Sequence, residues 1–326
     1  MPPHEVLGVP CTSVVSIRGC RARSSESIVR EMREEHRARG ARLFFHDDGL
    51  LGPSAARNLA RCRHMGELLR AAGMTRIGLS VRCRPDDVDR ELFAELRSIG
   101  MVHADVCVET GTAYEHSVRA TKLLAELGVH SSLNVRIFDP AATLDGVAGG
   151  LDLIEHFVDT AFHFCRVELE PGSPRDPRVE LLFRIATTVF CGRSLNPEGL
   201  ASANVGLRFK GEVLRRFYPA AWDDAFGRGL RAVSRAIGES TVLHMRRALG
   251  FVRGAELRDH AAANVFTLAL ARSVARSDVA LVGRVKAARH EVEVRAGAAG
   301  ARLVEGCFEQ GIPSFVPKAA LEARPS

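Results

Sequence analysis

Lysine is nearly absent from this chain. Only Lys122, Lys210, Lys286 and Lys318 stand among its 45 basic residues, and the rest are arginines. Aromatic residues are also scarce, with one Trp and two Tyr in 326 residues. A nucleic-acid surface needs clustered basic residues with stacking rings. Here the arginines are scattered and no basic run carries such rings. The net charge of +6 and the isoelectric point near 9.1 therefore read as arginine-rich coding, and they speak against a nucleic-acid partner. No apolar run reaches the roughly 18 to 20 residues that span a bilayer. Residues 1–10 lack the cationic and apolar segments of a signal peptide. The expectation is a cytoplasmic protein with no membrane partner. None of the eight cysteines forms a CxxC pair, which excludes a zinc ribbon and a small disulfide scaffold. Most of them read as small buried hydrophobes. There is no internal repeat and no low-complexity tract.

What is present is alternation. Strand-like segments at Val14–Ile17, Arg42–His46, Arg76–Val81, Val102–Val108, His130–Phe138 and Phe162–Leu169 are separated by helical patterns. The helices are expected at Ser25–Arg39, Ser54–Ala72, Asp86–Ser98, Tyr114–Leu127 and Thr143–Phe157, with Ser24–Ser25 as caps and Gly73, Gly100 and Gly128 as stops. Such alternation implies a parallel sheet with right-handed crossovers. The strands have polar period-2 faces. His103, Asp105, Cys107 and Glu109 share one face, as do His130, Ser132, Asn134 and Arg136, and as do Ser80, Arg82 and Arg84. A doubly wound sheet buries both faces and reads as continuous Val, Ile and Leu. Polar faces point instead to a barrel with a wet, ligand-sized interior.

After the Pro171–Pro177 linker the character changes to helices, expected at Leu181–Cys191, Lys210–Phe217, Ala220–Ile237, Val242–Phe251 and Asn264–Arg295, with a loop at Ser194–Gly206. The α/β chain thus divides into a partial (β/α)6 barrel over 1–176, a helical region over 177–298 and an irregular tail over 299–326.

Several fragments of the first half occur in a familiar order. Ser16-Ile17-Arg18-Gly19-Cys20 and Arg23-Ser24-Ser25-Glu26-Ser27-Ile28-Val29 are followed by Phe44-Phe45-His46-Asp47-Asp48, Arg82-Cys83-Arg84-Pro85-Asp86 and Val108-Glu109-Thr110-Gly111. Phe138-Asp139-Pro140, Phe164-Cys165-Arg166-Val167-Glu168 and Pro171-Gly172-Ser173-Pro174 complete the series. In this order the first half resembles the radical S-adenosylmethionine (SAM) superfamily, especially actinobacterial members linked to a cobalamin-binding domain. Glu180–Phe217 is similar to the C-terminal region of those proteins.

The departure from the family lies in the cluster loop. The family's C-x3-C-x2-C motif supplies three thiolates to a 4Fe–4S cluster, but here Cys20 is followed by Arg21-Ala22-Arg23-Ser24. The expectation is therefore no cluster. No cobalamin domain is expected either, with only about ten residues before the first expected strand. Cys83, Cys107 and Cys165 lie on three expected strands and stand as an alternative thiolate set.

A barrel of this kind places active residues at the carboxyl ends of its strands. The resemblance implies that Asp47 and Asp48 meet the SAM ammonium by charge-assisted hydrogen bonds. It also implies that Arg82 pairs with the SAM carboxylate as a bidentate fork and that Glu109 holds the ribose hydroxyls. Ser80, Asn134 and Arg136 face the same cavity. Glu109, Glu168 and His46 are the candidate bases for polar chemistry on SAM. Each of these residues also has a plain structural reading, such as an Arg136 salt bridge to Glu109 or Glu168. His46-x-Asp48 further matches part of a metal triad, with His163 or His103 as third ligand.

Three functions stay open at this point. One is a SAM-dependent transferase or lyase without a cluster, acting on a small molecule in specialised metabolism. Another is a non-catalytic partner of a second protein, with its pocket closed by side chains or by the tail around Phe308–Phe315. The third is a metal-dependent enzyme using the same cavity.

Overall fold

The computed structural model of the chain describes residues 4–14, 16–18, 21–46, 50–52, 54–108, 114–135, 151–152, 154–156, 160–164, 197–251 and 279–310. Nine strands are present among them: β1 (His4–Val6), β2 (Val9–Ser13), β3 (Ile17–Arg18), β4 (Arg21–Ala22), β5 (Leu43–His46), β6 (Gly78–Cys83), β7 (Met101–Val108), β8 (His130–Val135) and β9 (Ala161–Phe164). The helices are α1 (Ser25–Arg39), α2 (Ala55–Ala71), α3 (Arg90–Ser98), α4 (Tyr114–Glu126), α5 (Pro197–Phe217), α6 (Asp224–Phe251) and α7 (Val279–Gln310). Among the described residues no helix is long and apolar enough to cross a membrane.

Seven strands form one curled half-barrel sheet in the order β1-β2-β5-β6-β7-β8-β9. The β1–β2 pair is antiparallel and every other pair in this sheet is parallel. The parallel strands follow one another in sequence order. With right-handed crossovers, such an order puts every connecting helix on the same side of the sheet. A doubly wound sheet reverses its order midway and covers both faces with crossover helices. The chain is therefore singly wound, which agrees with the barrel reading.

Local chemistry explains the helix ends. Ser24 Oγ accepts the Ser27 N–H at 3.3 Å, and Asp89 Oδ1 accepts the N–H groups of Glu91 and Leu92 at 2.9 and 3.0 Å. Gly40, at φ +68°, closes α1. Gly100 leads from α3 into β7 at φ +114°, where a Cβ would lie 2.7 Å from the Ile77 carbonyl oxygen. Only glycine fits there without strain.

Several expectations are corrected. The first strand of the sheet is Val9–Ser13 rather than Val14–Ile17. Leu7 and Gly8, both at positive φ, make a two-residue turn that folds β1 back onto β2. Val14 adds one last rung, donating its N–H to Phe45 O at 2.9 Å, and Ile17–Arg18 instead pairs with Arg21–Ala22 in a separate hairpin. α6 is one helix through Ile237–Val242. Ile237, Thr241, Val242 and Met245 are buried in it, so packing overrides the weak helix propensity around Gly238. α5 begins at Pro197, inside the expected loop, and α7 reaches Gln310, well into the stretch expected to be irregular. The expected helix Leu181–Cys191, the start of the expected helix at Asn264 and the tail beyond 310 lie outside the described residues.

The two sides of the sheet are covered differently. On the outer side Phe44, Leu79, Val81, Ala104, Val106 and Leu133 pack with Ile28, Met32, Met65, Leu69, Phe93 and Leu124 of α1–α4 in one apolar core. On the inner side Leu43 and Val102 join Leu207, Val213, Leu214 and Phe217 of α5 in a second core.

Candidate functional site

Strand register assembles the site. A one-residue step along a strand moves a side chain to the other face. Across the parallel ladders, Phe45, Ser80, His103 and His130 stand in one row on the inner face. Arg82, Asp105, Ser132 and Ala161 form the next row, and Cys107 and Asn134 the one after, nearest the carboxyl ends of the strands. A register shift between Leu79 and Ser80 brings the polar residues of β6 and β7 into phase.

The first row is closed. Phe209 of α5 lies with its ring 5.6 Å from that of Phe45 and 5.3 Å from that of His103, edge to face with the imidazole. His130 stacks on His103 at 5.3 Å. The expected wet interior is thus dry at its deep end, because α5 supplies apolar side chains to fill it. Burial pushes the pKa of His130 well below its ordinary 6.5, and the neighbouring His103, Arg208 and Arg215 act in the same direction.

Hydrogen bonds run from this row toward the carboxyl ends. Ser80 Oγ lies 2.8 Å from His103 Nδ1, and His103 Nε2 lies 2.8 Å from Ser132 Oγ. Ser132 Oγ donates to Asp105 Oδ1 at 3.3 Å, and Arg82 Nε donates to Asp105 Oδ2 at 3.0 Å. A carboxylate only accepts, so the Ser132 proton points to Asp105. Ser132 then accepts from His103 Nε2–H, and His103 Nδ1 accepts from Ser80. One tautomer of His103 satisfies the whole chain.

Arg82, bonded to Asp105 in this series, reaches solvent, with 44% of its side chain exposed. In the next row, on β8, Asn134 is only 9% exposed, and its Oδ1 has no hydrogen-bond partner among the described residues. The His130 Nε2 and both amide atoms of Asn204 on α5 are in the same condition. Buried acceptors are seldom left without a donor.

The sequence candidates divide as follows. Ser80, Arg82 and Asn134 share the inner face, in three successive rows. His46 does not join them. It stands in register with Val81 and Ala104 on the outer side, fully buried, with Nδ1 2.9 Å from Ser16 Oγ. Asp47, Asp48, Glu109, Arg136 and Glu168 lie outside the described residues, as do Cys20 and Cys165. His46 and His103 point to opposite sides of the sheet, so they cannot ligate one metal ion. Cys83 and Cys107 alternate in the same way. The Cys83 thiol sits in the apolar core, where burial raises its pKa well above 9.0. These two thiols therefore do not fit a shared cluster. Among the described residues no group of three or more His, Cys, Asp or Glu is placed to hold a metal ion.

Asp105 and Ser132 join these residues without being singled out as binding residues in advance, and His103 was named only as a metal ligand. Their signal was the period-2 polar face, which marks a side of the sheet but not the bonds across it.

A second concavity, of about 530 Å³, lies at the first turns of α1 and α2 and is lined by Arg23, Glu26, Arg57, Arg61 and His64 among others. Most of its charge is engaged internally. Arg23 pairs with Glu31 and Ser27, Arg61 donates to the carbonyls of Leu50 and Arg23, and His64 binds Glu26 at 2.7 Å. The Glu26 carboxyl is held at about 2 by its own backbone N–H and by His64.

Comparisons with family models and with curated proteins gave no match. Among solved structures the chain is similar to a radical SAM methyltransferase, TsrM, from Kitasatospora setae, bound to cobalamin and a 4Fe–4S cluster. The TM-score is 0.45 at 19% identity, over 56% of this chain and 41% of that one. It is also similar to the cobalamin-dependent SAM radical enzyme OxsB with aqua-cobalamin bound, with a TM-score of 0.45 at 13% identity, over 93% of this chain and 56% of that one. The chain thus spans less than two thirds of the length of either protein. Its similarity, on these comparisons, is to radical SAM enzymes of the cobalamin-dependent kind.

Proposed function

We propose that the chain binds SAM at the carboxyl end of the inner sheet face and carries out cluster-independent transfer or elimination chemistry on a small molecule. The observation that carries this reading is the Asn134 amide oxygen, buried without a donor among the described residues, one row beyond the Arg82–Asp105 pair. Such an acceptor calls for a ligand N–H, and SAM offers an ammonium and an adenine amine. Arg82 matches the ligand's carboxylate in charge and shape. Asp47, Asp48, Glu109 and Arg136 are proposed to complete the ligand shell, as the sequence resemblance implies, and Glu168 or Glu109 to serve as base. His46 is left out because it lies on the other side of the sheet. When bound, SAM would supply an activated carbon next to its sulfonium. The chain's own part is to orient the ligand through Arg82 and Asn134 and to exclude water from below with Phe209 and Phe45.

Calorimetric titration of SAM into anaerobically purified protein, with iron and sulfide assayed on the same sample, tests this. Micromolar binding without iron is the expected result. Stoichiometric iron and sulfide would overturn the cluster-independent part.

The Phe209 plug favours a second reading, a non-catalytic partner of another protein, because it fills the deep half of the interior. Absence of both SAM binding and metal would leave that reading standing in place of the first.

A further inference from the structure

We propose that α5 and α6 enclose an internal hydration site, in which ordered water joins the side chains of Asn204, Ser234 and Thr241. The site is separate from the inner sheet face, and the proposal does not depend on the SAM-binding reading.

The pairing of the two helices places these residues. A Cβ on Gly211 of α5 would lie 2.9 Å from Leu230 Cδ1 of α6, so the helices touch there. Leu214 and Phe217 share a core with Phe226 and Leu230, Ala203 joins Ile237, and Ala201 shares a core with Val242. Numbers fall along α5 as they rise along α6, so the two helices run antiparallel. Seven residues are close to two helical turns, about 10 Å, and return to the same helix face. One such step from Gly211 reaches Asn204, and the matching step from Leu230 reaches Ile237. Asn204 is therefore level with Ile237. Ser234 and Thr241 stand on either side of Ile237, on the same face of α6.

Asn204, Ser234 and Thr241 are all fully buried. Yet neither amide atom of Asn204, nor Ser234 Oγ, nor Thr241 Oγ1 has a hydrogen-bond partner among the described residues. A helical hydroxyl can bond back to a carbonyl one turn earlier, as Thr121 does to Ser117 O at 2.9 Å in α4. Ser234 and Thr241 do not use that option. Gly238, buried next to Ile237, adds no side chain to this level. The groups around it are apolar, with Ala203, Val233, Leu281 and Val285 among them.

The chemistry of the three side chains selects the occupant. None carries a charge. Asn204 offers N–H donors and a carbonyl acceptor, and each hydroxyl can donate or accept. Their common partner is a small neutral molecule that does both. An internal water, which makes about three hydrogen bonds to buried polar groups, meets that description. Phe209 lies about 7.5 Å further along α5. What holds Asn204 thus also holds the helix whose ring closes the deep inner row.

The test is a thermodynamic cycle on the full chain. Ser234→Ala, Thr241→Val and Asn204→Leu are made singly, in pairs and together, and the folding equilibrium constant is read by urea denaturation. A shared water makes the three residues interdependent. Each single variant strips it of a partner and should lower the constant by roughly three- to tenfold. The triple variant leaves no polar group to satisfy and should return to within about threefold of the wild type. Three independent groups would behave in the opposite way. Each single variant would match or exceed the wild type, and the effects would simply multiply. That result overturns the proposal.

A crystal structure of the wild type is the second readout, and it stands even where a variant does not fold. Density for water within hydrogen-bond reach of at least two of the three side chains is expected. A seam without such density, or with density for a larger molecule, overturns the site.

Discussion

The two faces of the same strands follow opposite rules. On the outer face, Phe44, Leu79, Val81, Ala104, Val106 and Leu133 meet the apolar stripes of four helices, with His46 and Ser131 as buried polar exceptions. On the inner face, Ser80, Arg82, His103, Asp105, Ser132 and Asn134 occupy the alternate positions of the same β6, β7 and β8. Burial of the outer face supplies stability at about 25 cal/mol per Å² of apolar surface. The inner face obtains little net energy from its hydrogen bonds, since each replaces one to water. What it does obtain is orientation. On the proposed function, folding falls mainly to one side of the sheet and ligand binding to the other, and substitutions should divide accordingly.

The largest effect is expected on the outer face. Phe93 is fully buried in α3 against the sheet. Phe93→Ala should lower unfolding stability by about 3 to 5 kcal/mol, read by urea denaturation, with no change in ligand affinity at concentrations where the variant is folded. A comparable loss of affinity in the folded variant would break the division. Gly100→Ala should cost about 1 to 3 kcal/mol, because it places a side chain at strained φ and 2.7 Å from a backbone oxygen. A melting curve matching the wild type would contradict the α3–β7 turn described above.

The deep inner row should respond to pH. His130 has a folded pKa well below its ordinary 6.5. Above pH 6.5 it is neutral in both states and adds no penalty. Below it the unfolded chain takes up a proton that the folded chain refuses, so stability falls as pH falls, by at most about 1.4 kcal/mol per pH unit from this group. Chemical denaturation from pH 7.5 to 5 should show that decline, and His130→Phe should flatten it. The same slope in both proteins would place the pH dependence elsewhere.

The smallest effect on stability is expected at the partly exposed Arg82–Asp105 pair. Arg82→Ala removes a pair in which the arginine is substantially exposed, worth about 0 to 1 kcal/mol, while reducing SAM affinity. A destabilised variant with intact binding would reverse the assignment of the inner face.

Much of the outer architecture was legible in the sequence because it is local. Ser24 as a cap, Gly100 and Gly128 as stops, and the period-2 pattern of Val102–Val108 are decided within a few residues. The N-terminal hairpin was not legible. Its turn residue Leu7 adopts a positive φ that no local rule assigns to leucine, and Pro10 reads as a breaker although it lies in β2. α6 ran through Gly238 because burial of its flanking residues outweighed propensity. For the site, alternation identified the polar face but not its closure. That Phe209, more than 100 residues away in sequence, would cap His103 is a property of how α5 docks. That His46 would fall on the outer side depends on the register of β5 against β6, which a single strand does not encode.

The most direct test of the account uses Asn134→Leu. Replacing a buried acceptor that lacks a donor among the described residues with an apolar side chain of similar size removes a desolvation penalty, so the variant should be at least as stable as the wild type. If that acceptor exists to receive a ligand N–H, the same variant should lose SAM binding in a calorimetric titration where the wild type binds at micromolar concentration. Equal SAM affinity in the two proteins would contradict the assignment of the carboxyl end of the inner face as the binding site.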